Sequence, residues 1–220
     1  MSWFTGGSGQ SAARPQRNPV VAKVGLLVER LKNSNSLEEV LESIDQLSDL
    51  SSSSTAEVGD GALNILIEQL NGIVVDAEGE VAGQILQGIL DIINSVCTVR
   101  GNSSEENALR YTDVFLQNLD NVSTVLNLLQ RSEMWVKLNG IELLNTLHKN
   151  RKGSLEDSIL HCNAGMMRLM DVLTGVQMHE KVRNDMLLLL DKLTQGNDRI
   201  KEFVAFQEGF ERLFQIIDRE

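Results

Sequence analysis

Proline is nearly absent from this 220-residue chain, and the two prolines present, Pro15 and Pro19, both precede the first helical pattern. Because proline inside a helix removes a backbone hydrogen bond and clashes with the preceding turn, the rest of the chain lacks the residue that breaks helices most strongly. Alternating apolar and polar residues, typical of a half-buried strand, do not extend over any useful length. Together with abundant Leu, Glu, Gln and Asn, these absences predict an all-α protein.

Long apolar runs and cysteines are also scarce. No stretch of 18 apolar residues occurs, and the first residues lack the apolar core of a secretory signal, so we expect a soluble, cytosolic protein. The two cysteines, Cys97 and Cys162, are too few for a disulfide framework. Both lie in apolar helical patterns, where a reduced cysteine packs like a small hydrophobic residue.

Positive charge is missing from one region. Residues 33–99 contain no Lys or Arg, and this region carries most of the acidic excess behind the net charge of −11. Such a field disfavours nucleic acid and anionic lipid and favours a basic partner segment. The alternative is that these acidic residues only solvate exposed helix faces.

The chain begins with a polar segment and continues as a series of short helical patterns. Residues 1–18, rich in Gly and Ser, predict a flexible leader, and the first apolar stripe begins at Pro19. Ser36 and Glu39 have the spacing of a capping box, and the serines of 51–55 predict a polar loop. Further helices are predicted at 56–70, 81–99, 108–119, 122–130, 134–148, 155–162, 165–173, 179–194, 198–206 and 208–217.

A helix that is apolar on more than one side is predicted at 179–194. One stripe contains Val182, Met186, Leu189, Leu190 and Leu193, while Leu187 and Leu188 extend the apolar surface to the other side. We therefore expect this helix to be covered on several faces and the chain to be organised around it. Past its end, Gly196 and Asn197 predict a tight turn and the cap of the next helix.

The second half of the chain repeats itself. Leucines of the 134–148 helix align with those of the 179–194 helix at an offset of 46 residues, and the segments 164–173 and 208–217 align at an offset of 44. Leu86, Ile89, Leu90 and Ile93 share the register another two repeats upstream, at an offset of 100. This period is typical of armadillo and HEAT repeats. We therefore predict an armadillo/HEAT-like α-solenoid over 19–220, as the first part of a longer solenoid.

No constellation for catalysis or metal binding stands out. The sequence lacks a Walker loop, a GxGxxG fingerprint, a nucleophile elbow and an HExxH pair. His161 and Cys162 are adjacent, but neighbouring residues of a helix point about 100° apart. We therefore predict a protein that is not an enzyme and that needs no cofactor or metal.

Protein contact is the remaining type of site. Armadillo proteins of the importin type bind extended peptides through asparagines at one repeated position, but Asn139 and Asn184 are out of register by one residue, which argues against such a groove. The polar start of the 179–194 helix offers Arg183 to an acidic partner, although Asn184 and Asp185 could instead tie the turn between repeats. The candidate contacts are Arg183, Asn184, Asp185 and the arginines matched at the 44-residue offset, Arg168 and Arg212.

Four spaced motifs resemble a known family. They are NVS at 121–123 leading into VLNLL, GMMRLMDVL at 165–173, VRNDMLLLLDKLT at 182–194 and VAFQEGFERLFQII at 204–217. In this order they resemble the globular head of the general vesicular transport factor family, the long Golgi tethering proteins. The resemblance is strongest over 120–217 and weakest in the acidic first half and the insertion at 101–107.

The resemblance implies an armadillo-like head on a coiled-coil homodimer that tethers transport vesicles to the Golgi, with Rab-type GTPases, golgins and SNAREs as partners. Dimerisation and golgin capture belong, in that family, to the coiled-coil tail and an acidic C-terminal segment. We therefore expect a head that acts in ER-to-Golgi and intra-Golgi traffic and that associates with Golgi membranes and vesicles through partners. The alternative is a generic armadillo scaffold that binds a peptide or a cytoskeletal regulator.

Overall fold

The computed structural model describes residues 18–73, 79–100, 104–174 and 179–206, and these contain eleven helices and no strand. The predicted leader and the predicted helix at 208–217 lie outside the described residues, apart from Asn18. The helices are α1 (Pro19–Asn33), α2 (Leu37–Ser53), α3 (Thr55–Ile73), α4 (Glu80–Cys97), α5 (Glu105–Leu116), α6 (Leu119–Leu128), α7 (Met134–Asn150), α8 (Lys152–His161), α9 (Gly165–Thr174), α10 (Glu180–Thr194) and α11 (Asp198–Phe206).

The helices stack as layers that advance along the chain. Helices α2, α4, α7 and α10 pack in succession to form one layer, and α1, α3, α6 and α9 form a second. Helices α5 and α8 pack against both layers, and α11 contacts α9 and α10. The predicted all-α armadillo/HEAT-like solenoid is confirmed.

The most enclosed helix is α4, not α10. Helix α4 packs against α2, α3, α5 and α7, and twelve of its eighteen residues are buried. In α10 the predicted stripe is buried, but Leu188 is 60% exposed. The prediction that the chain is organised around 179–194 is therefore wrong, whereas the prediction that this helix is covered on several faces is confirmed by its contacts with α7, α9 and α11. Its neighbours α7, α9 and α11 leave one side of it open.

The repeat register predicted from the leucines is confirmed. Leu86 and Ile89 of α4 and their counterparts Met186 and Leu189 of α10 are all buried, and the two helices lie two places apart in the same layer. Each repeat therefore presents the same stripe to its neighbours, as a solenoid requires.

Two details of the predicted helix ends are wrong. The capping box does not form, because the Ser36 hydroxyl donates to the Glu38 carboxylate at 2.6 Å and the Glu39 carboxylate accepts from the Ser34 hydroxyl at 2.9 Å. The segment 51–55 is not a loop, since α2 and α3 are separated by Ser54 alone. Ser51 and Thr55 donate their hydroxyl hydrogens to carbonyls of the preceding turn, so the polar run is accommodated within helices.

The predicted turn after α10 is confirmed. Gly196 has a φ of 83°, in the left-handed region that glycine adopts without steric cost. The Asn197 side-chain oxygen accepts a hydrogen bond from the Ile200 backbone N–H at 3.2 Å and so caps α11.

Candidate functional site

The layer formed by α2, α4, α7 and α10 carries two adjoining surface grooves. The first, of about 600 Å³, is lined by Leu41, Asp45, Ser48, Gln84, Gln87, Gly88, Asp91, Trp135 and Asn139. The second, of about 350 Å³, is lined by Trp135, Leu138, Asn139, Ile141, Glu142, Asn145, Lys181, Asp185, Leu188 and Lys192. Because Trp135 and Asn139 line both, the grooves form one continuous surface, which we call the groove face.

Helix α7 places an aromatic side chain in the middle of the groove face. Its core side is set by Val136 and the leucines that follow, so Trp135, about 100° away around the helix, points outward and is 54% exposed. Asn139 lies one turn further on the same side. Its side-chain N–H donates to the backbone carbonyl of Gln87 at 3.2 Å, which fixes the amide beside α4.

Part-buried hydrogen bonds hold α7 against α4 and α5. The Thr146 hydroxyl donates to the Asn94 side-chain oxygen at 2.6 Å, and Asn150 donates to the Cys97 carbonyl at 2.7 Å and to the Thr112 hydroxyl at 2.8 Å. Side-chain bonds of this kind fix the register of two packed helices because each partner is left unpaired if the helices slide. The groove face is therefore a preorganised surface.

The charges differ between the two grooves. Asp45 and Asp91 line the first groove together with uncharged side chains, and no Lys or Arg lies there. The second groove contains both signs, and the Lys192 ammonium donates to the Asn145 side-chain oxygen at 2.7 Å. Two of the twelve acidic residues of 33–99, Asp45 and Asp91, therefore lie at the end of the groove face formed by α2 and α4.

An ion pair fixes the start of α7, just before Trp135. The Arg131 guanidinium donates to the Glu133 carboxylate, with Nη2 and Oε1 2.6 Å apart, and these hydrogen bonds hold the pKa of the Glu133 carboxyl below its usual value against the opposing effect of burial. Glu133 occupies the position that precedes the first turn of α7, where negative charge also favours the helix.

Replacing Glu133 with glutamine is expected to lower the free energy of unfolding by about 1 kcal/mol at pH 7, because charge-assisted hydrogen bonds are lost. The folded-state pKa of this carboxyl lies below the unfolded value of about 4.3. The stabilisation is therefore present above the unfolded pKa and is lost as pH falls through the folded pKa. Urea denaturation at pH 7 and at acidic pH measures this difference. Glu68→Gln, at an exposed position on α3, is the matched control and should change neither value.

Of the four candidate contacts in the part of the chain that the structure describes, one lies on the groove face. Asp185 lines the second groove, whereas Asn184 is exposed on α10 and Arg183 is half-buried, and neither lines it. Arg168 is half-buried on α9, where its backbone carbonyl accepts from the Gln130 amide at 2.8 Å. Arg212 lies outside the described residues.

The residues that dominate the groove face were not predicted as contacts. Trp135, Asp45 and Asp91 line it, and the sequence signal for them was weak: a tryptophan just ahead of a buried stripe in a chain with only 4% aromatic residues. The register of the asparagines argued against a peptide groove of the importin type, so it did not predict this surface. At the offset of 46, Asn139 corresponds to Asp185, and both of these side chains line the second groove.

A third groove, of about 610 Å³, lies between α5 and α8, but its arginines and Asp113 are already paired. Arg151 binds Asp113 with two hydrogen bonds, of 2.6 and 2.8 Å. Arg110 pairs with Asp60 and stacks over the Tyr111 ring, 4.7 Å from its centroid. A ligand here would have to compete with contacts within the chain.

The described residues contain no cluster of three His, Cys, Asp or Glu side chains that could hold a metal ion. Burial raises the pKa of the Cys97 thiol to about 12, so this cysteine stays protonated and is a poor nucleophile. Cys162 was predicted within a helix but follows the end of α8, where burial also raises the pKa of its thiol. Among the described helices, none combines the length and the apolar character needed to cross a membrane.

Comparison with known proteins identifies relatives over the whole chain. No protein-family model matches the sequence. The general vesicular transport factor p115 of Homo sapiens is 32% identical over 225 residues, which cover all of this chain and 23% of that protein. Golgin candidate 6 of Arabidopsis thaliana is 28% identical over 198 residues, 88% of this chain and 21% of its own length. The chain therefore spans less than a quarter of the length of these curated relatives.

Solved structures share the fold. The crystal structure of Uso1-2 superposes on 94% of this chain and 34% of its own with a TM-score of 0.80 at 19% identity. The crystal structure of Uso1-1 matches 91% of this chain and 33% of its own with a TM-score of 0.78 at 20% identity. The predicted resemblance to the general vesicular transport factor family is confirmed by the sequence relatives, and the helical-repeat fold by the structures.

Proposed function

We propose that this chain, a homologue of the general vesicular transport factors over its full length, is the helical-repeat head of a vesicle-tethering factor. In this proposal it acts in ER-to-Golgi and intra-Golgi traffic by binding proteins, not as an enzyme. The observation that carries the proposal is the alignment of the whole chain with p115 at 32% identity. The preorganised groove face supports it, because a tether needs a surface that stays rigid when a partner binds.

The partners proposed are a Rab-type GTPase, SNAREs and golgins, as the family resemblance implies. The candidate contacts for them remain Arg183, Asn184 and Asp185, together with Arg168 and Arg212. Membrane association would occur through these partners, since a net charge of −11 opposes direct binding to anionic lipid. In this proposal homodimerisation occurs through a coiled coil, as the family resemblance implies.

A pull-down with nucleotide-loaded GTPases tests the proposal. The immobilised full chain should retain at least one Golgi Rab-type GTPase loaded with a non-hydrolysable GTP analogue and should release it when GDP replaces the analogue. An endosomal Rab-type GTPase is the control and should not be retained. Equal retention of both nucleotide states, or retention of no Golgi member, would contradict this part of the proposal.

A second candidate function is a scaffold that binds a peptide or a cytoskeletal regulator. The exposed groove face favours it, since armadillo-type solenoids present extended surfaces of this kind. The same pull-down separates the two candidates, because a generic scaffold has no reason to distinguish GTP from GDP.

A further inference from the structure

We propose that the groove face binds an extended peptide segment rich in lysine and arginine, with a cationic side chain seated on Trp135 in the groove that Asp45 and Asp91 line. Such binding is additional to the tethering function, because its ligand is a basic peptide and it does not require a GTPase.

Trp135 is exposed where the two grooves meet. An indole ring that is 54% exposed at the junction of two grooves offers a large flat surface with no covering side chain over half of it. Tryptophan is enriched among the residues that contribute most to binding energy at protein interfaces. It is also the aromatic side chain that attracts a Lys or Arg cation most strongly over its face.

Two carboxylates without an ion-pair partner line the same groove as that ring. Asp45 and Asp91 are both exposed, and neither has an ion-pair partner among the described residues. In the α5–α8 groove, by contrast, Asp113 is already bound by Arg151. A cation that enters the first groove would therefore meet two available carboxylates, while its aliphatic stem would lie along Trp135.

Side-chain amides in the groove can pair with the backbone groups of the ligand. Gln84, Gln87 and Asn139 place side-chain amides along the same groove, and an amide can both donate to a carbonyl and accept from an N–H. Asn139 uses one N–H on the Gln87 carbonyl, which leaves its side-chain oxygen as an acceptor. An extended segment has unpaired backbone groups that need such partners, whereas a helix satisfies its own.

The residues of the second groove determine which end of the bound segment carries its cationic side chains. Leu188 offers an exposed apolar contact there, and Lys181 and Lys192 balance Glu142 and Asp185. The segment is therefore expected to carry its cations over α2 and α4 and an apolar side chain over α10.

Selection from a library of random 12-residue peptides displayed on phage tests the proposal on the full chain. Selected peptides should be enriched in Lys and Arg. Measured by fluorescence anisotropy, their dissociation constants should rise about tenfold or more for Trp135→Ala, because the aromatic anchor is lost. Asp91→Asn should weaken binding by about three- to tenfold and reduce its dependence on salt.

Matched controls lie in other parts of the solenoid. Leu26→Ala removes an apolar side chain on α1 that is 62% exposed, and Glu68→Gln removes one negative charge on α3. Both should leave the peptide dissociation constants within about twofold of the wild-type values. Circular dichroism checks that each variant is folded; if Trp135→Ala is not, Asp91→Lys at an exposed position should abolish binding in its place.

Three results would overturn the proposal. One is selection of peptides without enrichment in Lys and Arg, or of no binding peptide. Another is equal affinity of the selected peptides for the wild type and for the folded groove-face variants. The third is self-association of the wild type that Trp135→Ala abolishes in sedimentation velocity, because the groove face would then be an interface between two copies of this chain.

Discussion

Replacing Leu86 with alanine is expected to lower the free energy of unfolding by about 3 kcal/mol, within the range measured for Leu→Ala at buried positions. Leu86 is fully buried in α4, the helix that packs against four others, so the surrounding side chains have little freedom to collapse into the space left behind. Urea denaturation followed by circular dichroism measures the effect.

Leu188→Ala is the matched control, because it makes the same chemical change in α10, another helix of the same layer. Leu188 is 60% exposed, so its truncation should change the free energy of unfolding by less than about 0.5 kcal/mol. A loss at Leu188 as large as that at Leu86 would contradict the placement of α4 at the centre of the solenoid and the open side of α10.

Gly165→Ala is expected to lower the free energy of unfolding by about 2 kcal/mol, since overpacking of this size forces backbone shifts. Gly165 begins α9, and a β-carbon there would collide with the backbone carbonyl oxygen of Ile159 and lie 3.1 Å from the Cys162 β-carbon. A backbone oxygen cannot move aside as the end of a flexible side chain can. Thermal and urea denaturation measure the loss.

Gly153→Ala provides the comparison for the same substitution without a collision. Gly153 lies in the first turn of α8, and nothing approaches within 4 Å of the position of its added β-carbon. The variant should match the wild type or exceed its stability by about 0.5–1 kcal/mol, because alanine restricts the unfolded chain and favours the helix. Equal destabilisation at Gly153 and Gly165 would exclude the steric explanation.

Sequence periodicity predicted the solenoid because buried stripes must recur wherever one helix packs on the next. The stripe shared by Leu86 and Met186, 100 residues apart, reflects two helices of one layer. Periodicity could not show that Leu188 lies on an open side, since exposure depends on which neighbours a helix has. Nor could it show that the Ser36 side chain pairs with Glu38 and the Glu39 side chain with Ser34. Which of these local partners a side chain chooses depends on the backbone conformation before α2.

The candidate site was less predictable than the fold. Asp185 was singled out within a polar cluster, and it does line the groove face. Trp135, Asp45 and Asp91 come from three helices separated by many residues, and only the stacking of α2, α4 and α7 brings them to one groove. A spacing argument within one helix could not have joined them.

Flotation of the full chain with Golgi-derived transport vesicles tests the central claim, that this solenoid acts on membranes by binding their proteins. The chain should float with intact vesicles, should remain at the bottom of the gradient after the vesicles are treated with protease, and should not float with protein-free anionic liposomes. Flotation that survives protease treatment, equal flotation with liposomes, or no flotation with intact vesicles would contradict the claim.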